Sequence, residues 1–229
     1  MSTENSHPDD SLPEEASSFN PLSSGCPWLK KKSANPILNP RNMMPEISQA
    51  PSDFQQTALS TARQVSSIPK TGASAHWEYP SPQQFFNALL RRNKSAEEET
   101  MASVVHVHNK VNEDSWNQVL EWEKLHSKCV EPSLQRFVGK SEELSPKAFV
   151  RQKLKMGAGE ELFDRHDWFV DRCGEKSVRY IIDYYDTSGV AGADPRALNV
   201  RIDTRPALDS FGAVWDRIRK PVLDFFSTK

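Results

Sequence analysis

The chain has 229 residues, and 29 Lys plus Arg stand against 31 Asp plus Glu, a net charge of −2. That balance argues against bulk nucleic-acid binding, which needs a cationic surplus to displace counterions. Hydrophobic residues reach only 37%, below the usual ~45–50%, and no apolar run approaches the ~20 residues of a bilayer span.

The first 29 residues contain no Lys or Arg but carry Glu4, Asp9, Asp10, Glu14 and Glu15. Neither a secretory signal nor a cleaved transit peptide has that charge pattern. Nine of the 16 prolines lie in residues 1–75, among many Ser and Asn. Such a stretch cannot bury enough surface to offset its ordering entropy. It is expected to be a largely disordered arm, with Trp28, Met43, Met44 and Ile68 as docking points. Lys30-Lys31-Lys32 is a short basic run suited to a solvated patch or an anionic lipid surface. Residues 76–229 are expected to form one domain. About 150 residues bury roughly 68–70% of their unfolded surface.

Ser81 is a suitable N-cap and Pro82 a suitable first helical residue. Phe85, Phe86, Leu89 and Leu90 then share a helical face. A second helix is predicted from about Ala96, opened by Glu97, Glu98 and Glu99. In it Met101, Val104, Val105 and His108 form one stripe at i, i+3, i+4, i+7. Trp116, Val119, Leu120 and Glu123 continue a helical pattern, either directly or after a kink near Asn112. Residues 130–163 are ambiguous, with a short helix at Ser145-Pro146 ended by Gly157 and Gly159. The period then changes to two. Val178, Tyr180, Ile182 and Tyr184 alternate with Arg179, Ile181, Asp183 and Tyr185, and Leu198, Val200 and Ile202 alternate likewise, which predicts an antiparallel hairpin. His166 to Arg172 offers a third strand. A last helix is expected from about Pro206, kinked at Pro221. The expected class is α+β: a helical N-terminal half packed with a small antiparallel sheet and a long C-terminal helix, preceded by the disordered arm.

His108 ends an otherwise apolar stripe. A neutral imidazole beside an apolar wall suits an iron or zinc ligand; the spacing by itself favours a core histidine bonded to a backbone carbonyl. His106 lies about 200° round the helix and cannot share a metal with it. Asn112 and Glu113 can cap a helix or bond a ligand through an imidazole. Asp164-Arg165-His166-Asp167 is either an acid–base pair or an ion-pair network. Cys26-Pro27 offers a thiolate that can ligate haem iron. Cys129 and Cys173 are expected as buried small apolar residues, and no Cys-x-x-Cys pair or phosphate loop occurs. Arg172, Arg179 and Lys140 are candidate anion partners by charge alone.

A set of strings in this chain resembles the mitochondrial holocytochrome c synthases, or cytochrome c haem lyases. They are Asn-Pro-Arg-Asn-Met-Met-Pro at 39–45, Val-Ser-Ser-Ile-Pro-Lys at 65–70 and Trp-Glu-Tyr-Pro-Ser-Pro-Gln-Gln at 77–84. Val-His-Asn at 107–109, Asn-Glu at 112–113 and Leu-Glu-Trp-Glu at 120–123 follow. The most specific are Phe-Asp-Arg-His-Asp-Trp at 163–168, Val-Arg-Tyr-Ile-Ile-Asp-Tyr-Tyr at 178–185, and Arg-Pro-Ala-Leu-Asp-Ser at 205–210 with Trp-Asp-Arg at 215–217.

The resemblance implies a lyase that adds the two thiols of a Cys-x-x-Cys-His segment of apocytochrome c across the vinyl groups of haem b. It implies a protein of the mitochondrial intermembrane space, peripheral on the inner membrane and without a cleaved presequence. His108 would be an axial ligand of the iron, with Asn109 and Glu113 in the same motif. His166 would be a secondary haem-site and catalytic candidate, and Cys26 the thiolate of a haem-regulatory Cys-Pro motif. The implied partner segments are the N-terminal helix and Cys-x-x-Cys-His stretch of the apocytochrome. Arg172 is carried as a haem-binding candidate by charge. Two departures stand out: there is one Cys-Pro motif, and Leu162 runs directly into Phe163 where the family often has an intervening proline. Alternatives are the sister lyase acting on the membrane-anchored cytochrome of the bc complex, a non-catalytic haem-responsive protein using Cys26, and an interaction module whose histidines are all structural.

Overall fold

A computed structural model describes residues 39, 45–53, 55–140, 143–194 and 197–227. Cys26, Trp28, the triple lysine, Met43 and Met44 lie outside the described residues. Strands β1 (Val65–Pro69) and β2 (His76–Glu78) form an antiparallel pair. Helix α1 (Pro82–Arg91) follows, then a 3₁₀ turn at Glu98–Thr100 leading into α2 (Met101–Glu123). Next come β3 (Ser133–Gly139), α3 (Pro146–Lys153), β4 (Glu161–Arg172), β5 (Lys176–Asp186), β6 (Val200–Pro206) and α4 (Phe211–Ser227). Strands β3 to β6 make one sheet in chain order, every neighbour antiparallel.

Local chemistry sets several boundaries. Ser81 caps α1 through a reciprocal box: its side chain accepts from Gln84 N–H, and the Gln84 side chain accepts from Ser81 N–H. Asn93 ends the same helix at φ 52°, and Lys94 N–H reaches back to Leu89 O at 3.1 Å. Ser145 caps α3 by accepting from Ala148 N–H, with Pro146 at the first helical position.

The core lies between α2 and one face of the larger sheet. Trp116 and Val119 of α2 meet Trp168 and Val170 of β4 and Val178, Tyr180, Ile182 and Tyr184 of β5. Each such side chain withdrawn from water contributes about 1.5–3 kcal/mol. Ile68 of β1 and Leu134 of β3 close the same cluster. The other sheet face is ionic. Asp183 holds Arg205 at 2.6 Å, and Asp167 holds Arg165 at 3.1 Å and Arg179 at 3.0 Å. No helix among the described residues is long and apolar enough to cross a membrane.

The expected architecture is corrected on three points. The chain enters as strands before its first helix, and the described residues contain six strands in two sheets. In β1 only Ser66 and Ile68 turn inward, so one apolar side chain carried a signal too short to read. In β3 a register shift between Leu134 and Arg136 breaks the alternation. The longest helix among the described residues is α2, with 23 residues, against 17 for the C-terminal α4. Helix α2 runs unbroken past Asn112, whose amide donates to the His108 carbonyl at 2.7 Å from within the helix. Helix α4 starts later than expected because Arg205 and Pro206 still pair with Ile181 and Tyr180 in the sheet.

Cys129 and Cys173 are also corrected. They form a disulfide, Cα–Cα 5.6 Å, that joins the loop after α2 to the β4–β5 turn. The 43 residues between them made the pairing invisible in the chain.

Candidate functional site

His108 sits in the first half of α2, half-buried, on the stripe that also buries Met101 and Val105. Phe85 of α1 stands edge-on to the imidazole at 5.2 Å between centroids, and Tyr79 at 6.0 Å. Both ring nitrogens have polar neighbours. Nδ1 is 3.2 Å from Asn109 Oδ1, and Nε2 is 3.3 Å from Asn112 Nδ2. The Asn109 amide nitrogen is committed to Gln64 Oε1 at 3.0 Å, so its oxygen faces the ring. Nδ1 therefore carries the proton, and Nε2 presents its lone pair. Burial holds the His108 pKa below its ordinary value; the His166 charge adds to this, against the Asn109 hydrogen bond and the Asp164 charge. A neutral imidazole at pH 7, with one nitrogen anchored and the other basic, is the form that ligates a metal.

Asp164 and His166 come from β4 and face the same region, close enough for their charges to act on His108. His166 Nε2 lies 3.2 Å from Asp164 Oδ2, and its ring meets Tyr184 edge-on at 5.4 Å. Its Nδ1 is buried without a partner among the described residues. Gly139, directly across the β3–β4 pair, leaves the ring room: a side chain there would begin 3.6 Å from it. Burial works against the Asp164 charge, but the His166 hydrogen bond and charge, the Arg165 N–H and the Lys94 charge outweigh it, and its pKa is lowered. Burial pushes the Tyr184 hydroxyl far above its usual range; it lies 3.2 Å from Ser115 Oγ.

Glu113 points elsewhere. Five residues on from His108, it is about 140° round the helix. It accepts from Ser67 N–H at 3.0 Å, from the Ser67 hydroxyl, and from Tyr79 OH at 2.9 Å. It thereby pins β1 and Tyr79 onto α2. Its reach to the imidazole runs through Tyr79, whose ring stands against His108.

Arg172 is not part of this group. Its guanidinium grips Glu123 in a two-point contact at 2.5 and 2.9 Å, with Tyr180 OH donating to the same carboxylate. Glu123 is 15 residues beyond His108 on one helix, about 22 Å along its axis. Arg179 and Lys140 are likewise engaged, Arg179 with Asp167 and Asp209, Lys140 with Glu143 and Asp167. Cys26 lies outside the described residues. Among the described residues no cluster of three or more His, Cys, Asp or Glu has the geometry of a metal centre.

Tyr79, Phe85 and Tyr184 are the neighbours that sequence reasoning missed. Tyr79 and Tyr184 lie within the resemblance strings, and Phe85 within the α1 apolar face, but nothing local aims Tyr79 and Phe85 at His108 or Tyr184 at His166.

The site defined by these residues is one neutral histidine on a helix, walled by aromatics and faced by a second histidine–carboxylate pair. A sequence model of the family described as cytochrome c/c1 heme lyase matches residues 2–221. The chain is 46% identical over 193 residues to a holocytochrome c-type synthase of Gallus gallus, covering 81% of this chain and 68% of that protein. It is 44% identical over 203 residues to the holocytochrome c-type synthase of Bos taurus, 85% and 71% of the two chains. It is 39% identical over 229 residues to the holocytochrome-c synthase of Saccharomyces cerevisiae, 90% and 83%. No solved structure matches. The chain belongs to the cytochrome c/c1 heme lyase family, and as such it is an enzyme of the lyase class.

Proposed function

We propose that this chain is a holocytochrome c synthase that attaches haem to apocytochrome c. The observation that carries the site assignment is the His108 imidazole, kept neutral by burial, with Nδ1 held by Asn109 and Nε2 free to bond once the Asn112 amide yields.

Haem b is a substrate in this reading. Each thiol of the Cys-x-x-Cys-His segment adds across one vinyl group: a C–S bond and a C–H bond form, and the S–H and the vinyl π bond are lost. No electrons leave the pair, and the thiols must be reduced, because a disulfide has no thiol to add; reduced iron is required as well in this reading. His108 and the substrate segment's own histidine would hold the haem iron, which would keep the vinyl groups beside the two thiols. Holding reactants in that register is worth ~7–11 kcal/mol of barrier. Phe85 and Tyr79 wall the imidazole, and Glu113 positions Tyr79. His166, paired with Asp164 and with a buried unpartnered Nδ1, is suited to passing the thiol proton to the vinyl carbon. Lys94, whose charge reaches Asp164, is suited to a haem propionate in place of Arg172. Cys26 is proposed as an accessory iron ligand of the N-terminal segment. In the cell, this reading places the protein in the mitochondrial intermembrane space, peripheral on the inner membrane. The apocytochrome docks through its N-terminal helix.

The test is co-expression with cytochrome c in a bacterium that lacks its own maturation system. The native chain should give a haem-stained cytochrome band. His108→Ala should lose the band and the axial-ligand spectrum while keeping its helical circular dichroism. Retention of both band and spectrum overturns the assignment. Because the family description covers both c and c1, a second reading is the lyase of the bc-complex cytochrome. Exchanging the substrates' N-terminal segments in the same assay separates the two.

A further inference from the structure

Helix α4 presents its polar side to the protein and its apolar side to water. Ala213 and Asp216 are its buried residues. Asp216 is held by His126 Nε2 at 2.9 Å, Arg219 at 2.9 Å and Arg172 at 3.7 Å. Phe211, Val214, Trp215, Ile218, Val222 and Phe226 fall within about 120° of the opposite side at 100° per residue. All six are exposed, Phe211 by 97%, Trp215 by 60% and Phe226 by 68%. A contiguous apolar patch of this kind is rarely left in water without a partner.

Lys176 stands at one edge of that face, and a cavity lies beside the polar side of the helix. Lys128, Lys176, His126 and Arg172 line this cavity of about 290 Å³, with Glu175 as its acidic lining residue. Arg172 and His126 touch Asp216 of α4. The Lys176 ammonium stands 3.5 Å from where a side chain on Gly212 of α4 would begin. Lys128 and Lys176 are exposed, and neither has an ion-pair partner among the described residues.

We propose that α4 is a membrane-surface helix. Its apolar side enters the acyl boundary of an anionic bilayer while Lys128 and Lys176 meet the lipid phosphates. A helix from another protein is a poorer fit. Exposures this high leave no groove walls beside the apolar side chains, and helix-in-groove binding needs them. Trp and Phe on the apolar side with a lysine at its edge are what an interfacial helix requires. The helix is not a spanning one, since Asp216, Arg217, Arg219, Lys220 and Asp224 interrupt its 17 residues. The contact sits at the Glu123 end of α2, away from His108. The inference rests on the peripheral membrane association proposed above and gives it a surface.

The experiment is flotation of the full chain with phosphatidylcholine vesicles, alone or with about a quarter phosphatidylglycerol. Haem titration is followed separately. The native chain should float with the anionic vesicles. Ile218→Asp with Val222→Asp should cut the bound fraction roughly tenfold or more, with circular dichroism and the haem spectrum unchanged. Lys128→Gln with Lys176→Gln should weaken binding to anionic vesicles several-fold and leave neutral ones unaffected. A native chain that stays with the unbound fraction overturns the proposal. So does an aspartate variant that floats as well as the native chain. Self-association abolished by the same aspartates, without flotation, overturns it in favour of a second copy. Loss of haem binding with intact flotation would refute the haem-site reading alone.

Discussion

Replacing Arg172 with Ala separates a stabilising residue from a haem-binding one. The Arg172 and Glu123 side chains are 10% and 3% exposed and meet at 2.5 Å. Removing the guanidinium strands a buried carboxylate with only the Tyr180 hydroxyl as a side-chain donor among the described residues. Breaking a buried pair in this way costs about 3–5 kcal/mol. For a folded unit of about 150–250 residues each kcal/mol moves the thermal midpoint by about 2–4 °C. The midpoint should therefore fall by roughly 6–20 °C. Haem titration well below the new midpoint should give the native spectrum and an affinity within about twofold, because Arg172 touches nothing near His108. Glu123→Gln should destabilise in the same direction by leaving the cation short of its charge. A variant that keeps its midpoint but loses haem at low temperature would refute the reasoning and return Arg172 to the haem site.

Three other expectations follow from the same geometry. Burial keeps His108 neutral below its ordinary pKa of about 6.5. The unfolded chain then binds the extra proton, so stability falls as pH drops through and below that value and recovers toward neutrality; His108→Asn should flatten this dependence in urea titrations, and an unchanged slope would count against the burial argument. Asn109→Ala removes the acceptor that orients the imidazole and should weaken haem binding about 10- to 100-fold, read by Soret titration, with wild-type affinity as the refuting result. The Cys129–Cys173 bond spans a sequence separation of 44, and closing such a loop in the unfolded chain is worth ~4 kcal/mol in the chain-entropy account; reductant or Cys129→Ser with Cys173→Ser should lower the urea midpoint accordingly, and coincident curves would refute it.

Rules of short range along the chain were legible. The Ser81-Pro82 and Ser145-Pro146 starts are caps, and a cap is decided within four residues. The period-two stretch at 178–185 is β5, whose Val178, Tyr180, Ile182 and Tyr184 are all buried. The stripe ending at His108 does turn toward the protein. What escaped depended on pairing partners. Strand β3 shows little alternation and exists because β4 accepts it. The late start of α4 follows from Arg205 and Pro206 remaining in the sheet, although the spacing from Leu208 reads as helix.

The sequence alone determined the local elements, the candidate histidine and, through its motif strings, the family expectation. Periodicity, capping and motif spacing are properties of neighbouring residues and survive without a fold. Only the tertiary structure brought Asp164 and His166 of β4 up to His108 of α2, turned Glu113 toward Ser67 and Tyr79, buried Arg172 against Glu123 and joined Cys129 to Cys173. Each of those contacts closes a loop of 34 residues or more. Which distant partner repays that closing entropy depends on sheet register and on the face a helix turns to the sheet.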